Sequence, residues 1–210
     1  MARRIAPPAD LRRHILDASA ALLVEGGVGA LSMREVARRA GVSHQAPYHH
    51  FPDRESILAA IAEEGFVELR ARMAAAGDAS KPAADRLALC GTAYVAFALA
   101  RPGHFRVMFR PELVALELFP ETARAADAAF ELLEQVVAAA VREGLVAPAD
   151  AEAATSYAWS LGHGLASLLL DGPLAQKVPG AARREAHVAD VMALSARLLR
   201  ASGTARARKR

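Results

Sequence analysis

The chain has 210 residues, of which 53% are hydrophobic, 23% charged and 5% aromatic. That balance excludes an intrinsically disordered chain, and a single cysteine, Cys90, excludes an internal disulfide framework or a multi-cysteine metal site. The net charge of +3 is uneven: residues 1–54 carry +3, residues 55–200 carry −4 and residues 201–210 carry +4, so basic ends around an acidic middle suggest a polyanionic partner.

Alanine makes up roughly a quarter of the residues, far above ordinary usage. It is the best helix former and a poor strand former, so an all-α fold is predicted. The first helix starts near Asp10, and Leu11, Ile15, Ala18 and Leu22 share one of its faces. Gly26, Gly27 and Gly29 end it. Ser32-Met33-Arg34-Glu35 reads as a capping box: the Ser32 hydroxyl accepts from the residue 35 amide, and Glu35 reaches back. Gly41 stops this second helix after about two turns. Ser43 caps a third short helix that ends near His50, with Pro47 removing one amide donor inside it. Pro52 and Asp53 open a long fourth helix striped by Ile57, Leu58, Ile61, Leu69 and Met73.

Residues 76–82, with Gly77, Asp78, Ser80 and Lys81, read as a linker. Helices are predicted near 83–100, 102–109, 121–143, 150–170 and 183–201, separated by proline and glycine breaks. No stretch shows the two-residue alternation of a strand. The most apolar run, Tyr157–Leu170, is interrupted by Ser160, His163 and Ser167, and is shorter than the roughly 20 residues a membrane span needs. Arg3 and Arg4 lack the apolar run of a secretory signal. A cytoplasmic protein with no membrane partner is expected.

The chemistry concentrates at residues 32–54. Two short helices, with Ala37 at their approach and Gly41 in the turn, make a helix-turn-helix candidate. Val36, Val42 and Tyr48 supply apolar contacts. In such a unit the second helix enters the major groove. Ser43, His44 and Gln45 stand at its first turn, where glutamine can make two hydrogen bonds to adenine. Tyr48, His49 and Arg54 are suited to phosphates. The same spacing would equally serve an ordinary helix hairpin.

Leu31-Ser-Met-Arg-Glu-Val-Ala37, Ala40-Gly-Val-Ser43 and Tyr48-His-His-Phe-Pro-Asp-Arg-Glu-Ser-Ile-Leu58 together resemble the N-terminal domain of the tetracycline-repressor (TetR) family. The resemblance implies an all-helical homodimer with three DNA-binding helices and a larger regulatory and dimerisation domain. Residues 1–9 would be a basic arm, in which Arg3 and Arg4 reach the minor groove or backbone, and residues 10–55 the DNA-binding domain. Residues 56–201 would bind ligand and dimerise, and residues 202–210 would be a disordered basic tail. Residue by residue, it gives Ser32 and Arg34 as backbone-side contacts. Ser43, His44, Gln45 and Ala46 would face bases or nearby phosphates, and Tyr48, His49 and Arg54 would clamp phosphates. Lysine is common in the family where Arg54 stands. Phe51 reads as core, and His50 is open to either role.

In the C-terminal half, Ser160, Gly164 and Ser167 form a strip of small side chains beside Tyr157, Leu161, Leu165 and Leu168. The last helix offers Val188, Val191, Met192, Ser195, Leu198 and Leu199. Two such helices per chain could form a four-helix bundle across a dimer axis, or simply an intrachain core. The run Trp159-Ser-Leu-Gly-His-Gly164 resembles the Trp-His-Gly (WHG) type of C-terminal domain in this family. The resemblance also implies an effector pocket, with Tyr94, Phe97, His104, Phe105, Met108, Phe109, Phe130, Trp159 and His163 as candidate lining. A pocket so lined would suit a mostly apolar small molecule.

No metal-binding, nucleophile-elbow or phosphate-loop motif occurs, so neither an enzyme nor a cofactor is indicated. The expected function is a ligand-responsive regulator, usually a repressor, that binds a near-palindromic double-stranded operator as a homodimer and is released by an effector. An effector-independent architectural DNA binder is the alternative.

Overall fold

The computed structural model describes residues 8–207, and no strand occurs among them. Helix α1 spans Pro8–Gly26, α2 Met33–Ala40, α3 Arg54–Ala76, α4 Ala83–Ala100, α5 Pro102–Met108, α6 Pro120–Arg142, α7 Ala151–Leu170, α8 Leu174–Lys177 and α9 Ala181–Ala207. Short 3-10 turns lie at Val28–Ala30, Ala46–His49, Leu116–Leu118 and Pro148–Asp150.

The chain forms two units. The first comprises the described residues up to Phe66 together with Arg101–Ala125; the second comprises Val67–Ala100 and the described residues from Ala126. The division differs from the one expected at residue 55. Ile57, Leu58 and Ile61 of α3 are fully buried, as are Ile15 and Leu23 of α1 and Val36 of α2. Side chains of this size contribute about 1.5–3 kcal/mol each when buried, so the start of α3 is part of the first core. α5 joins it too, because α1 packs against both α2 and α5. A Cβ on Gly103 would stand 2.8 Å from the Ala20 carbonyl oxygen, so only glycine permits this approach of α5 to α1. Thr122 then ties the start of α6 to α3 by donating to the Ala59 carbonyl at 3.2 Å.

In the second unit α4 packs against α7 and α9. By length and apolar composition α4 is the one helix among the described residues that could cross a membrane. Its Cys90, Tyr94, Val95, Phe97 and Ala98 are buried. Ala83, Ala139, Ala140 and Val146 form a core of small side chains, with Leu87, Leu145 and Leu199 packed against it. Both Glu143 carboxylate oxygens accept from the Ala83 amide at 3.0 Å, which satisfies a donor at the start of α4.

Several expectations need correction. α1 begins at Pro8 rather than Asp10. Residues 76–82 are an ordered turn inside the second unit: the Ser80 amide and hydroxyl both donate to the Asp78 carboxylate, which holds that carboxyl below its ordinary range. The short helix α8 was not anticipated, since Gly172-Pro173 and Pro179-Gly180 read only as breaks. α9 continues to Ala207, so most of the segment expected to be disordered is helical. The expected arm at Arg3 and Arg4, and residues 208–210, lie outside the described residues.

Candidate nucleic-acid interface

The helix-turn-helix is assembled from caps. Ser32, in extended conformation, accepts at its hydroxyl from the Glu35 amide at 3.2 Å. Only half the capping box forms: the Glu35 carboxylate turns instead to Arg38, at 2.8 and 2.5 Å, and that guanidinium holds it below the usual carboxylate range. Gly41 then adopts φ 67°, ψ 35°. Its amide donates to the Arg38 carbonyl and the Val42 amide donates to the Ala37 carbonyl, the crossed pair of a Schellman motif. Arg39 pairs with Glu25 and braces the end of α2 against α1.

The recognition element is not the α-helix expected from Ser43. Residues 44 and 45 form a turn, and a 3-10 helix follows from Ala46 to His49, with Gln45 at its N-cap and no side-chain cap there. Pro47 supplies the reason. In an α-helix its amide would donate to the Ser43 carbonyl, and proline has none. That carbonyl accepts instead from Ala46 at 3.0 Å, Tyr48 donates to Gln45 at 3.2 Å, and His50 donates to Pro47 at 3.0 Å. All three are the tighter three-residue closure. Pro47 itself is buried.

This arrangement turns the predicted side chains outward. Ser32, Arg34, Ser43, His44, Gln45, Tyr48 and His49 are exposed, and Ala46 is half-buried. The His44 and Tyr48 rings lie 5.9 Å apart. Tyr48 is 42% exposed, so it is not the apolar contact expected of it. Val36 is buried and Val42 half-buried. Phe51 is core, with the Arg12 guanidinium 5.3 Å above its ring, a cation–π contact that the sequence pattern does not reveal.

Arg54 departs from the expectation of a phosphate clamp. Its Nε donates to the Leu31 carbonyl and its Nη2 to the Val28 carbonyl, both at 2.8 Å, while Nη1 lies 3.8 Å from Glu55. Its fork faces the protein's own oxygens.

The nine candidate effector residues divide between the units. His104, Phe105, Met108 and Phe109 belong to the first, and Tyr94, Phe97, Phe130, Trp159 and His163 to the second. His104, 3% exposed, has its Nε2 3.1 Å from the Arg101 guanidinium and 3.8 Å from Glu64. Glu64 also receives Arg13 from α1 at 2.9 Å. Burial pushes the Glu64 carboxyl up, but His104 and Arg13 outweigh it and leave the group below the ordinary range. Phe105 and Met108 are buried core, and Phe109 stacks edge-on against Phe66 and Phe105. Phe97 is fully buried, with Arg72 5.9 Å from its ring, and acts as core rather than lining.

The remaining four come together. The Tyr94 hydroxyl lies 2.9 Å from His163 Nδ1 and also takes a hydrogen bond from Trp159. Phe130 meets Trp159 edge-on at 5.4 Å. Burial drives the Tyr94 hydroxyl well above its usual pKa and lowers that of His163.

The predicted dimer strip also divides. Val188 and Met192 are each 3% exposed, buried within the chain and not presented to a partner, while Leu199 is half-buried against the small-residue core. Ser160, Leu168 and Leu198 are exposed, and Gly164, Ser167, Val191 and Ser195 are half-buried.

An all-helical chain with a capped helix-turn-helix unit and a separate helical unit defines a class of DNA-binding regulator. Residues 15–61 match the family model described as bacterial regulatory proteins, tetR family, and residues 87–202, more than half of the chain, match the tetracyclin repressor-like C-terminal domain. The chain belongs to the TetR family, whose members are DNA-binding transcriptional regulators rather than enzymes. A Rhodococcus sp. RHA1 protein of unknown function is 32% identical, covering 90% of this chain and 93% of that one, with a TM-score of 0.71. A tetR-family regulatory protein from Rhodococcus RHA1 is 26% identical over 90% of this chain and 96% of that one, with a TM-score of 0.73. FadR from Bacillus subtilis, solved in complex with stearoyl-CoA, is 17% identical over 88% of this chain and 97% of that one, with a TM-score of 0.71, a likeness of fold alone. Among curated proteins, an uncharacterized HTH-type regulator of Mycobacterium tuberculosis is 43% identical over 53 residues, 25% of this chain and only 28% of the relative. AcrR of Shigella flexneri is 39% identical over 64 residues, 30% of each chain.

Proposed function

We propose that this protein is a ligand-responsive repressor that binds a near-palindromic operator as a homodimer. The observation that carries the DNA reading is the recognition turn: buried Pro47 anchors it, while Ser43, His44, Gln45, Tyr48 and His49 point outward beside exposed Ser32 and Arg34. Ser43, His44 and Gln45 would read base edges, with Ala46 alongside, and Ser32, Arg34, Tyr48 and His49 would hold phosphates. Two copies would occupy successive major grooves.

The exposed side chains of α7 and α9 support a partner of the same sequence. Tyr157, Leu168, Leu194 and Leu198 are large apolar groups between 42% and 58% exposed, with Ser160, Gly164, Ser167, Val191 and Ser195 nearby in sequence. A second copy of the chain would cover such groups on α7 and α9 together. The cluster of Tyr94, Phe130, Trp159 and His163 supports a mostly apolar effector with one polar contact. Effector and operator would each favour a different conformation, which is sufficient for release.

The test is selection from a random duplex library followed by footprinting. Enrichment of a palindrome whose half-sites lie about one helical turn apart supports the reading. Enrichment of no sequence, or of a single half-site bound by one chain, overturns it.

A further inference from the structure

The Arg54 guanidinium spans two carbonyls of one turn, that of Leu31 and that of Val28, which also accepts from the Leu31 amide at 3.2 Å. Val28 opens the 3-10 turn after α1, and Leu31 closes it in extended conformation, one residue before the Ser32 cap of α2. Nε and Nη2 reach the Leu31 and Val28 carbonyls at 2.8 Å each, and Nη1 faces Glu55 at 3.8 Å. Every nitrogen of the fork therefore faces an oxygen of its own chain. The side chain is half-buried and stands on a fixed post. The Ser56 amide donates to the Asp53 carboxylate at 2.7 Å and the Ser56 hydroxyl to the Asp53 carbonyl at 2.7 Å, which clamps the start of α3.

The Val28–Leu31 turn leads directly into the interface: the Ser32 cap, Arg34, Gly41 and then residues 43–49. Charge-assisted hydrogen bonds are shorter and stronger than neutral ones, and two from one planar group also fix an angle. We propose that Arg54 is a positioning residue for DNA recognition, locking the turn before α2 onto the start of α3 so that the recognition turn meets the groove in register. It does so without contacting phosphate. A lysine in its place keeps the charge but cannot hold two divergent carbonyls in one plane.

The inference rests on the proposed DNA reading, and the experiment separates the two. The parent protein enriches a duplex from a random library. Binding of that duplex, and of a random duplex, is then measured by fluorescence anisotropy across a salt series for the parent, Arg54→Lys, Arg54→Gln and Arg34→Ala. Arg54→Lys is expected to weaken the selected duplex about tenfold or more, keep random-duplex affinity within about twofold, and keep the parental salt slope. Arg34→Ala, the phosphate comparator, is expected to weaken both duplexes and lower the slope by about 1. Hydrogen exchange at the Glu35 amide should speed up in Arg54→Lys while amides of α4 keep parental protection. Parental binding of the selected duplex by Arg54→Lys, or a uniform loss on both duplexes with a reduced slope in Arg54→Gln, overturns the inference. Global unfolding of Arg54→Lys overturns it too, since the proposed role is local. A parent that enriches no duplex overturns the DNA reading, and this inference with it.

Discussion

Tyr94 on α4 and His163 on α7 meet at 2.9 Å, the tyrosine hydroxyl against imidazole Nδ1. Trp159 also hydrogen-bonds the same hydroxyl. The neutral form of the histidine is favoured. Burial lowers its pKa, so the unfolded chain takes up a proton that the folded chain refuses, and stability contributed above the ordinary value of about 6.5 is lost as pH falls below it. The thermal midpoint of the parent should fall between about pH 7 and pH 5, and His163→Gln should flatten that dependence. Equal slopes for the two proteins would contradict the assignment. Tyr94 titrates the other way: its raised pKa makes the folded state lose stability above about pH 10, and Tyr94→Phe should remove that alkaline loss.

The caps of α2 give a prediction about stability. Ser32→Ala removes the acceptor of the Glu35 amide and should cost about 1 kcal/mol. Gly41→Ala forces a side chain to φ 67° and should cost roughly 1–2 kcal/mol. Both are measurable by chemical denaturation, and a stabilised Gly41→Ala protein would refute the cap geometry.

Two close approaches should respond differently to the same change. At Gly103 the new Cβ would meet the Ala20 carbonyl oxygen at 2.8 Å, and backbone cannot step aside. At Gly91 it would meet the Met192 sulfur at 2.6 Å, the far end of a flexible side chain. Gly103→Ala should therefore destabilise by about 1–3 kcal/mol, and Gly91→Ala by clearly less, because the helix-propensity gain offsets part of its strain. Equal losses in paired melts would mean that α5 is not seated on α1 by backbone contact.

Gln45→Ala should change the order of preference among duplex sequences, since glutamine is the residue of the recognition turn best suited to paired hydrogen bonds with a base. Tyr48→Phe should weaken all sequences alike. A competition assay with a panel of single-base variants distinguishes them, and a uniform loss for Gln45→Ala would remove it from base readout.

If the proposed dimer forms through α7 and α9, replacing Leu168 and Leu198 together by glutamate should leave a monomer at micromolar concentration by sedimentation, because both side chains are exposed in the isolated chain. Dimerisation unaffected by the pair would locate the interface elsewhere.

Much of the fold was legible in the residues. Leu11, Ile15, Ala18 and Leu22 announce the inner face of α1 through spacing alone, and Ser32 and Gly41 mark both ends of α2 by their chemistry. Pro47 was legible as a lost donor, but whether a short helix shifts or tightens depends on which carbonyls remain to be satisfied. The surroundings of Arg54 are not legible, because a basic residue before an apolar helix looks the same whether it faces water or two carbonyls 23 and 26 residues away. Val188 and Met192 show the same limit. A helix with apolar residues on more than one side does not declare which of them meets its own chain, and the approach of α4 decided it.

The tightened turn at Ala46–His49 has a consequence for how operator preference could drift. A 3-10 turn stacks side chains three apart, so Gln45 stands in line with Tyr48, and Ala46 with His49. With the proline amide missing, the stretch holds a short 3-10 ladder and no continuous α-helical one. New sequence tastes would have to arise by exchanging side chains on a fixed knuckle, one contact at a time, and not by turning a rod within the groove.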